Sequence, residues 1–82
     1  MKESKRIYRL NKRRFITTVM YHFETVSNFC AVAKVSRPRF YMVMNLSFKT
    51  KNPPTVVRFI NLINEKSESK YDPEIFWSKI HE

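Results

Sequence analysis

Glycine is absent from this 82-residue chain. Its absence excludes every phosphate-binding loop that depends on glycine, including the Walker A loop and the dinucleotide-binding fingerprint. Cysteine occurs once, at Cys30, so no disulfide can form within the chain, which fits a reducing cytoplasm. No apolar run reaches the roughly 18 residues that a membrane-spanning helix needs. We therefore expect a cytoplasmic protein with no membrane partner.

Metal ligands and catalytic groups are also few. A structural zinc site needs about four ligands at close spacing, whereas the chain offers Cys30 and two distant histidines, His22 and His81. A nucleophile pair of Cys30 and His22 would lack an orienting third group. The sequence therefore predicts that the protein is not an enzyme and has no catalytic residue, metal, cofactor or small-molecule ligand.

Acidic residues are missing from one long segment. Residues 25–64 contain six lysines and arginines but no aspartate or glutamate, and residues 1–14 contain seven basic residues against one acid. The formal charge of the whole chain is +9. This distribution favours a polyanionic partner, although basic side chains can also form no more than a solvated surface.

Signals for the start of a helix occur at five places. Asn, Ser, Thr and Asp are favoured N-caps because their side chains accept a hydrogen bond from the first turn, where proline is also favoured. The expected caps are Asn11, Thr25 or Ser27, Ser36, Asn52 or Thr55, and Asp72. No strand-like alternation of useful length is present. The sequence therefore predicts an all-α fold, a compact domain of four to five helices over residues 11–82, with a flexible basic arm at residues 1–10. Ile7, Tyr8 and Leu10 are apolar enough to dock this arm on the domain.

The most specific signal lies in residues 26–45. Phe29 and Ala33 share one face of the second expected helix, and Phe40 and Val43 continue a buried seam on the third. The other side chains of the third helix then face outward. Because a basic, hydrogen-bonding helix suits the major groove of DNA, the pattern predicts a helix–turn–helix.

The segment from Thr25 to Tyr41 resembles the DNA-reading part of TetR-type bacterial regulators. The resemblance lies in Thr25-Val26, Ala33-Lys34-Val35-Ser36-Arg37-Pro38 and Phe40-Tyr41, and it covers about a fifth of the chain. Lys34 stands where such motifs usually have glycine. The turn must therefore be made by a residue that adopts positive φ at a higher free-energy cost than glycine does. The helix layout is also similar to that of phage-repressor-like domains. These resemblances imply a DNA-reading mode, but neither membership of the TetR family nor an effector ligand.

The expected DNA contacts fall into three groups. Side chains on the outer face of the third helix would meet the bases, since arginine can bind guanine and asparagine adenine. Cations around that helix would hold phosphates, and the arm would follow the backbone or enter a minor groove. The base-reading candidates are Arg37, Pro38, Tyr41, Met42 and Asn45, the phosphate-binding candidates are Lys34, Ser36, Arg39, Lys49 and Lys51, and the arm cations are Arg6, Arg9, Lys12, Arg13 and Arg14.

The sequence thus predicts a double-stranded DNA-binding regulator of transcription, of the phage, plasmid or mobile-element type, associated with the nucleoid when bound. Several alternatives stay open. The basic face could meet an acidic protein, with Tyr71, Phe76 and Trp77 as anchors. Single-stranded RNA could stack on Phe40 and Tyr41 if both rings were exposed, or nucleic acid could be bound without specificity. A homodimer is also open, with Trp77 at its interface.

Overall fold

The computed structural model describes residues 7–50, 53–68 and 70–78. These residues form four α-helices, one two-stranded sheet and one short 3₁₀ helix. The α-helices are α1 (Lys12–Phe23), α2 (Val26–Ala33), α3 (Arg37–Asn45) and α4 (Pro54–Lys66), the strands are β1 (Tyr8–Arg9) and β2 (Ser47–Phe48), and the 3₁₀ helix spans Pro73–Phe76. The chain is mostly helical, but the expectation of an all-α fold is only partly met because of the sheet.

The first three α-helices each begin directly after a residue that the sequence marks as a cap. The side-chain oxygens of Asn11, Thr25 and Ser36 each accept a hydrogen bond from the backbone N–H three residues later, at 3.1–3.2 Å. These bonds confirm the three predicted N-caps. Helix α4 differs, because Pro53 holds its N-cap position and makes no side-chain capping bond. The prediction of Thr55 as that cap is wrong, and Asn52 lies outside the described residues.

Phenylalanine rings form the centre of the core. Each α-helix and the 3₁₀ helix contributes one fully buried ring, and neighbouring rings lie 5.0–6.4 Å apart in tilted or edge-to-face arrangements. The five are Phe15, Phe29, Phe40, Phe59 and Phe76. Burying one such side chain contributes about 1.5–3 kcal/mol, and each favourable ring pair adds about 0.5–1.5 kcal/mol. This cluster therefore fixes the packing of α3 against the rest of the domain.

The two strands come from distant parts of the chain. Strand β1 pairs with β2 in antiparallel fashion, with Tyr8 opposite Phe48 and Arg9 opposite Ser47. Arg9 also donates a hydrogen bond from Nε to the Ser47 hydroxyl at 3.1 Å. The pairing places the segment before α1 next to the segment after α3.

The same N-terminal segment also contacts the C-terminal part of the chain. Leu10 is buried and forms a β-bridge with Trp77, and the ring of Tyr8 meets the Trp77 ring edge to face at 6.3 Å. The backbone of Tyr8, Arg9 and Leu10 is therefore paired with β2 and with the chain at Trp77 and Ser78, so these three residues are docked on the domain and do not belong to a flexible arm. Residues 1–6, including Arg6, lie outside the described residues.

The expected fifth helix is reduced to the single 3₁₀ turn. Asp72 does accept a hydrogen bond from the Glu74 N–H at 3.0 Å, so the start signal is correct. The turn ends at Phe76 because Trp77 pairs with Leu10 and the Ser78 N–H donates to the backbone of the β1 strand at 2.8 Å. A helix would need these backbone groups for its own hydrogen bonds.

Candidate nucleic-acid interface

A three-residue turn, residues 34–36, connects α2 to α3. Lys34 takes the left-handed conformation with φ 62° and ψ 44°. As the sequence predicts, a residue other than glycine therefore adopts the positive φ of this turn, at a cost in free energy. Val35 packs against the core, and Ser36 is the N-cap of α3. From α4, the Arg58 guanidinium donates a hydrogen bond to the carbonyl oxygen of Ala33, so it holds the last turn of α2.

Only one side of α3 is buried. Phe40 and Val43 are buried as the sequence predicts, and Met44 joins them. All other residues of α3 are exposed. Together these exposed residues form one continuous surface of the helix, which we call the outer face of α3. Its members are Arg37, Pro38, Arg39, Tyr41, Met42 and Asn45.

The outer face has a centre and two flanks, because successive residues of an α-helix are 100° apart. The buried side chains define the inner direction, and three residues lie opposite to it. The centre is formed by Pro38, Met42 and Asn45, one flank by Arg37 and Tyr41, and the other flank by Arg39. The two arginines that the sequence places on this helix thus border the outer face and do not form its centre.

Asn45 is held by two hydrogen bonds. Its Oδ1 accepts from the Lys12 ammonium at 3.2 Å, and its Nδ2 donates to the Tyr41 carbonyl oxygen at 2.9 Å. Reading adenine in the major groove requires an asparagine to offer both its oxygen and its nitrogen. The two contacts therefore reduce the capacity of Asn45 for the base-reading role that the sequence assigns to it.

Further cations lie at the C-terminal end of α3. Lys12 reaches it from α1, Arg9 is placed there by the sheet, and Lys49 is exposed just after β2. The sequence identifies all three as basic, but only the structure shows which of them adjoin α3. Lys51 lies outside the described residues.

Arg13 and Arg14 lie elsewhere on α1. Both are exposed, and they line a shallow surface groove together with Asn11, Thr17 and Thr18. No residue of α3 lines that groove. These two predicted contacts thus share a groove on α1, whereas their neighbour Lys12 is the α1 cation that contacts α3.

The two groups considered for nucleophilic chemistry are His22, which has another hydrogen-bond partner, and Cys30, which is buried. The Nε2 atom of His22 lies 2.8 Å from the Tyr71 hydroxyl. Burial raises the pKa of the Cys30 thiol, and the nearby positive charge of Arg37 counteracts part of that rise. A raised pKa keeps a thiol protonated and poorly nucleophilic at neutral pH.

No protein-family model, curated protein or solved structure matches this chain. Among residues 7–50, 53–68 and 70–78, no three His, Cys, Asp or Glu side chains gather in a way that could hold a metal ion. Within the same ranges, no helix is long and apolar enough to cross a bilayer. Inference of function therefore depends on the outer face of α3 and on the charges around it.

Proposed function

We propose that the chain binds double-stranded DNA by placing the outer face of α3 in the major groove, as a helix–turn–helix does. The observation that carries this proposal is a capped helix whose one buried seam leaves six side chains directed outward. Nine residues make a helix about 14 Å long and about 10–12 Å wide. The major groove is about 12 Å wide, so a helix exposed on this side fits it.

The charges around α3 support the proposal. Lys34, Arg37, Arg39 and Lys49 are exposed along the turn, α3 and the segment after β2, and no acid occurs between residues 25 and 64. The acids of the described residues lie outside α2, α3 and the turn between them, at Glu24, Glu65, Glu68, Asp72 and Glu74. Positive charge on both sides of the outer face matches the phosphates that border the groove on both sides.

Three of the alternatives lose support from burial, and non-specific binding of nucleic acid stays open to the test below. Phe76 and Trp77 are buried in the core, so they cannot serve as exposed anchors for an acidic protein, and Trp77 cannot form the proposed dimer interface. Phe40 is fully buried, which removes one of the two rings that stacking on single-stranded RNA would need. We therefore propose a DNA-binding regulator of transcription that acts by binding and not by catalysis, in the cytoplasm and on the nucleoid when bound.

Fluorescence anisotropy with labelled duplexes tests the proposal. A duplex enriched from a randomised library should bind about 10³-fold more tightly than a scrambled duplex of the same composition. Affinity for both should fall between about 50 and 200 mM salt, with a slope of about −0.9 for each phosphate contact. Equal affinity for the two duplexes would show that the chain binds DNA without sequence specificity. The absence of measurable binding would reject the proposal.

A pair of matched variants identifies the surface that binds. Arg39→Ala should make the salt slope shallower by about one unit, because it removes one phosphate contact. Lys70→Ala is the control, since Lys70 is also exposed but contacts the Asn64 carbonyl at the C-terminal end of α4. If the salt slope changes equally in both variants, the assignment of a phosphate contact to Arg39 is wrong.

A further inference from the structure

The centre of the outer face of α3 is apolar. Pro38 and Met42 are four residues apart and therefore neighbours on the helix surface, and 48% of the Met42 surface is exposed. Tyr41 and Leu46, each 40% exposed, continue this apolar surface. The one amide at the centre belongs to Asn45, which is held by Lys12 and by the backbone of α3.

We propose that α3 recognises thymine through its 5-methyl group, with Met42 and Pro38 as the contacting side chains. The inference rests on the proposed DNA binding and adds the base that is read. Thymine is the base that carries a methyl group in the major groove, and apolar side chains recognise it by contact. The arginines that could read guanine lie on the flanks of the outer face and not at its centre.

The positive charges of Arg37 and Arg39 on the flanks favour DNA as the partner that binds this apolar surface. A second copy of the chain would bring Arg37 and Arg39 against cations of the same sign, which costs free energy. The major groove offers the complementary arrangement, with methyl groups along its floor and phosphates along both edges. An exposed methionine can also adapt its three rotatable bonds to the position of a methyl group.

Replacing thymidine by deoxyuridine removes the methyl group and leaves base pairing unchanged. The probe is a duplex enriched from a randomised thymidine library, in which each thymidine is then replaced in turn. Burial of one methyl-sized group is worth about 0.8 kcal/mol, so replacement at a contacted position should weaken binding about fourfold. Replacement at other positions should leave the affinity unchanged.

The Met42→Ala variant connects the effect to its side chain. It should bind the thymidine duplex more weakly than the natural chain and show no fourfold difference between thymidine and deoxyuridine at the contacted position. Met20→Ala is a matched control, because Met20 is 47% exposed on α1 and lies outside α3. The control should keep the fourfold ratio, and circular dichroism should show equal helix content in all three proteins.

Several results would overturn the inference without touching DNA binding itself. One is sequence-specific binding that is not weakened by deoxyuridine at any position. Another is a fourfold ratio between the affinities for thymidine and deoxyuridine that persists in Met42→Ala. A third is an enriched binding site that contains no thymine. Failure to enrich any sequence would instead reject specific DNA binding, and the thymine inference would fall with it.

Discussion

The left-handed turn residue between α2 and α3 leads to a quantitative prediction about stability. Lys34 has φ 62° and ψ 44°, and its side chain is exposed. A residue with a Cβ atom is destabilised by about 1–2 kcal/mol in this region because the Cβ approaches the following carbonyl oxygen. Glycine escapes that repulsion, but it adds about 0.5–1 kcal/mol of chain entropy to the unfolded state.

We therefore expect Lys34→Gly to raise the free energy of unfolding by about 0.5–1 kcal/mol. For a domain of this size, 1 kcal/mol corresponds to about 4–8 °C in melting temperature, so the variant should melt about 2–8 °C higher. The assay is urea unfolding followed by circular dichroism, together with a thermal melt. High salt should be used so that the loss of a positive charge contributes little.

Lys34→Ala is the matched control for this substitution. It removes the same charge and keeps the Cβ atom, so its stability should stay close to that of the natural chain. If the glycine variant is no more stable than the alanine variant, the assumption that residue 34 is held in the left-handed region is refuted. Because Lys34 is also a proposed phosphate contact, both variants should bind DNA with a shallower salt slope.

Two further predictions concern the neighbouring turn and the core. Glu24 has φ 73° and ψ −45°, and the Thr25 N–H donates a hydrogen bond to the Phe23 carbonyl oxygen at 2.8 Å, which makes this segment a strained γ-turn. Glu24→Gly should therefore raise the free energy of unfolding by about 1 kcal/mol, whereas Glu24→Gln should not. Equal urea midpoints for the two variants would contradict this prediction. The raised pKa of Cys30 means that the unfolded thiol ionises before the folded one, so stability should fall as the pH rises above the ordinary thiol pKa. Urea unfolding at neutral and alkaline pH should show this loss in the natural chain and less of it in Cys30→Ala, and an identical pH dependence in both would refute it.

Much of the helical layout was predictable because its signals act over three or four residues. The caps at Asn11, Thr25 and Ser36 bond to the first turn of their own helices, and Phe40 and Val43 follow the helical repeat. Such features depend on neighbours in the sequence and hardly on the rest of the fold.

The sheet was not predictable in the same way. Strands β1 and β2 have two residues each, which is too short for an alternating pattern, and the residues that pair are almost 40 positions apart. Their pairing depends on how the phenylalanine core brings the two chain segments together. This pairing makes a strand of Tyr8 and Arg9, and the separate pairing of Leu10 with Trp77 ends the expected fifth helix at Phe76.

For the candidate site, the sequence by itself determined a capped helix, its buried seam, two arginines and the absence of acids around them. Only the tertiary structure decided that Lys12 holds Asn45, that Arg13 and Arg14 line a groove on α1, and that Met42 and Pro38 are left as the centre of the outer face. The physical reason is that helical periodicity fixes the faces of one helix, whereas contacts between α1 and α3 depend on the packing of the whole core.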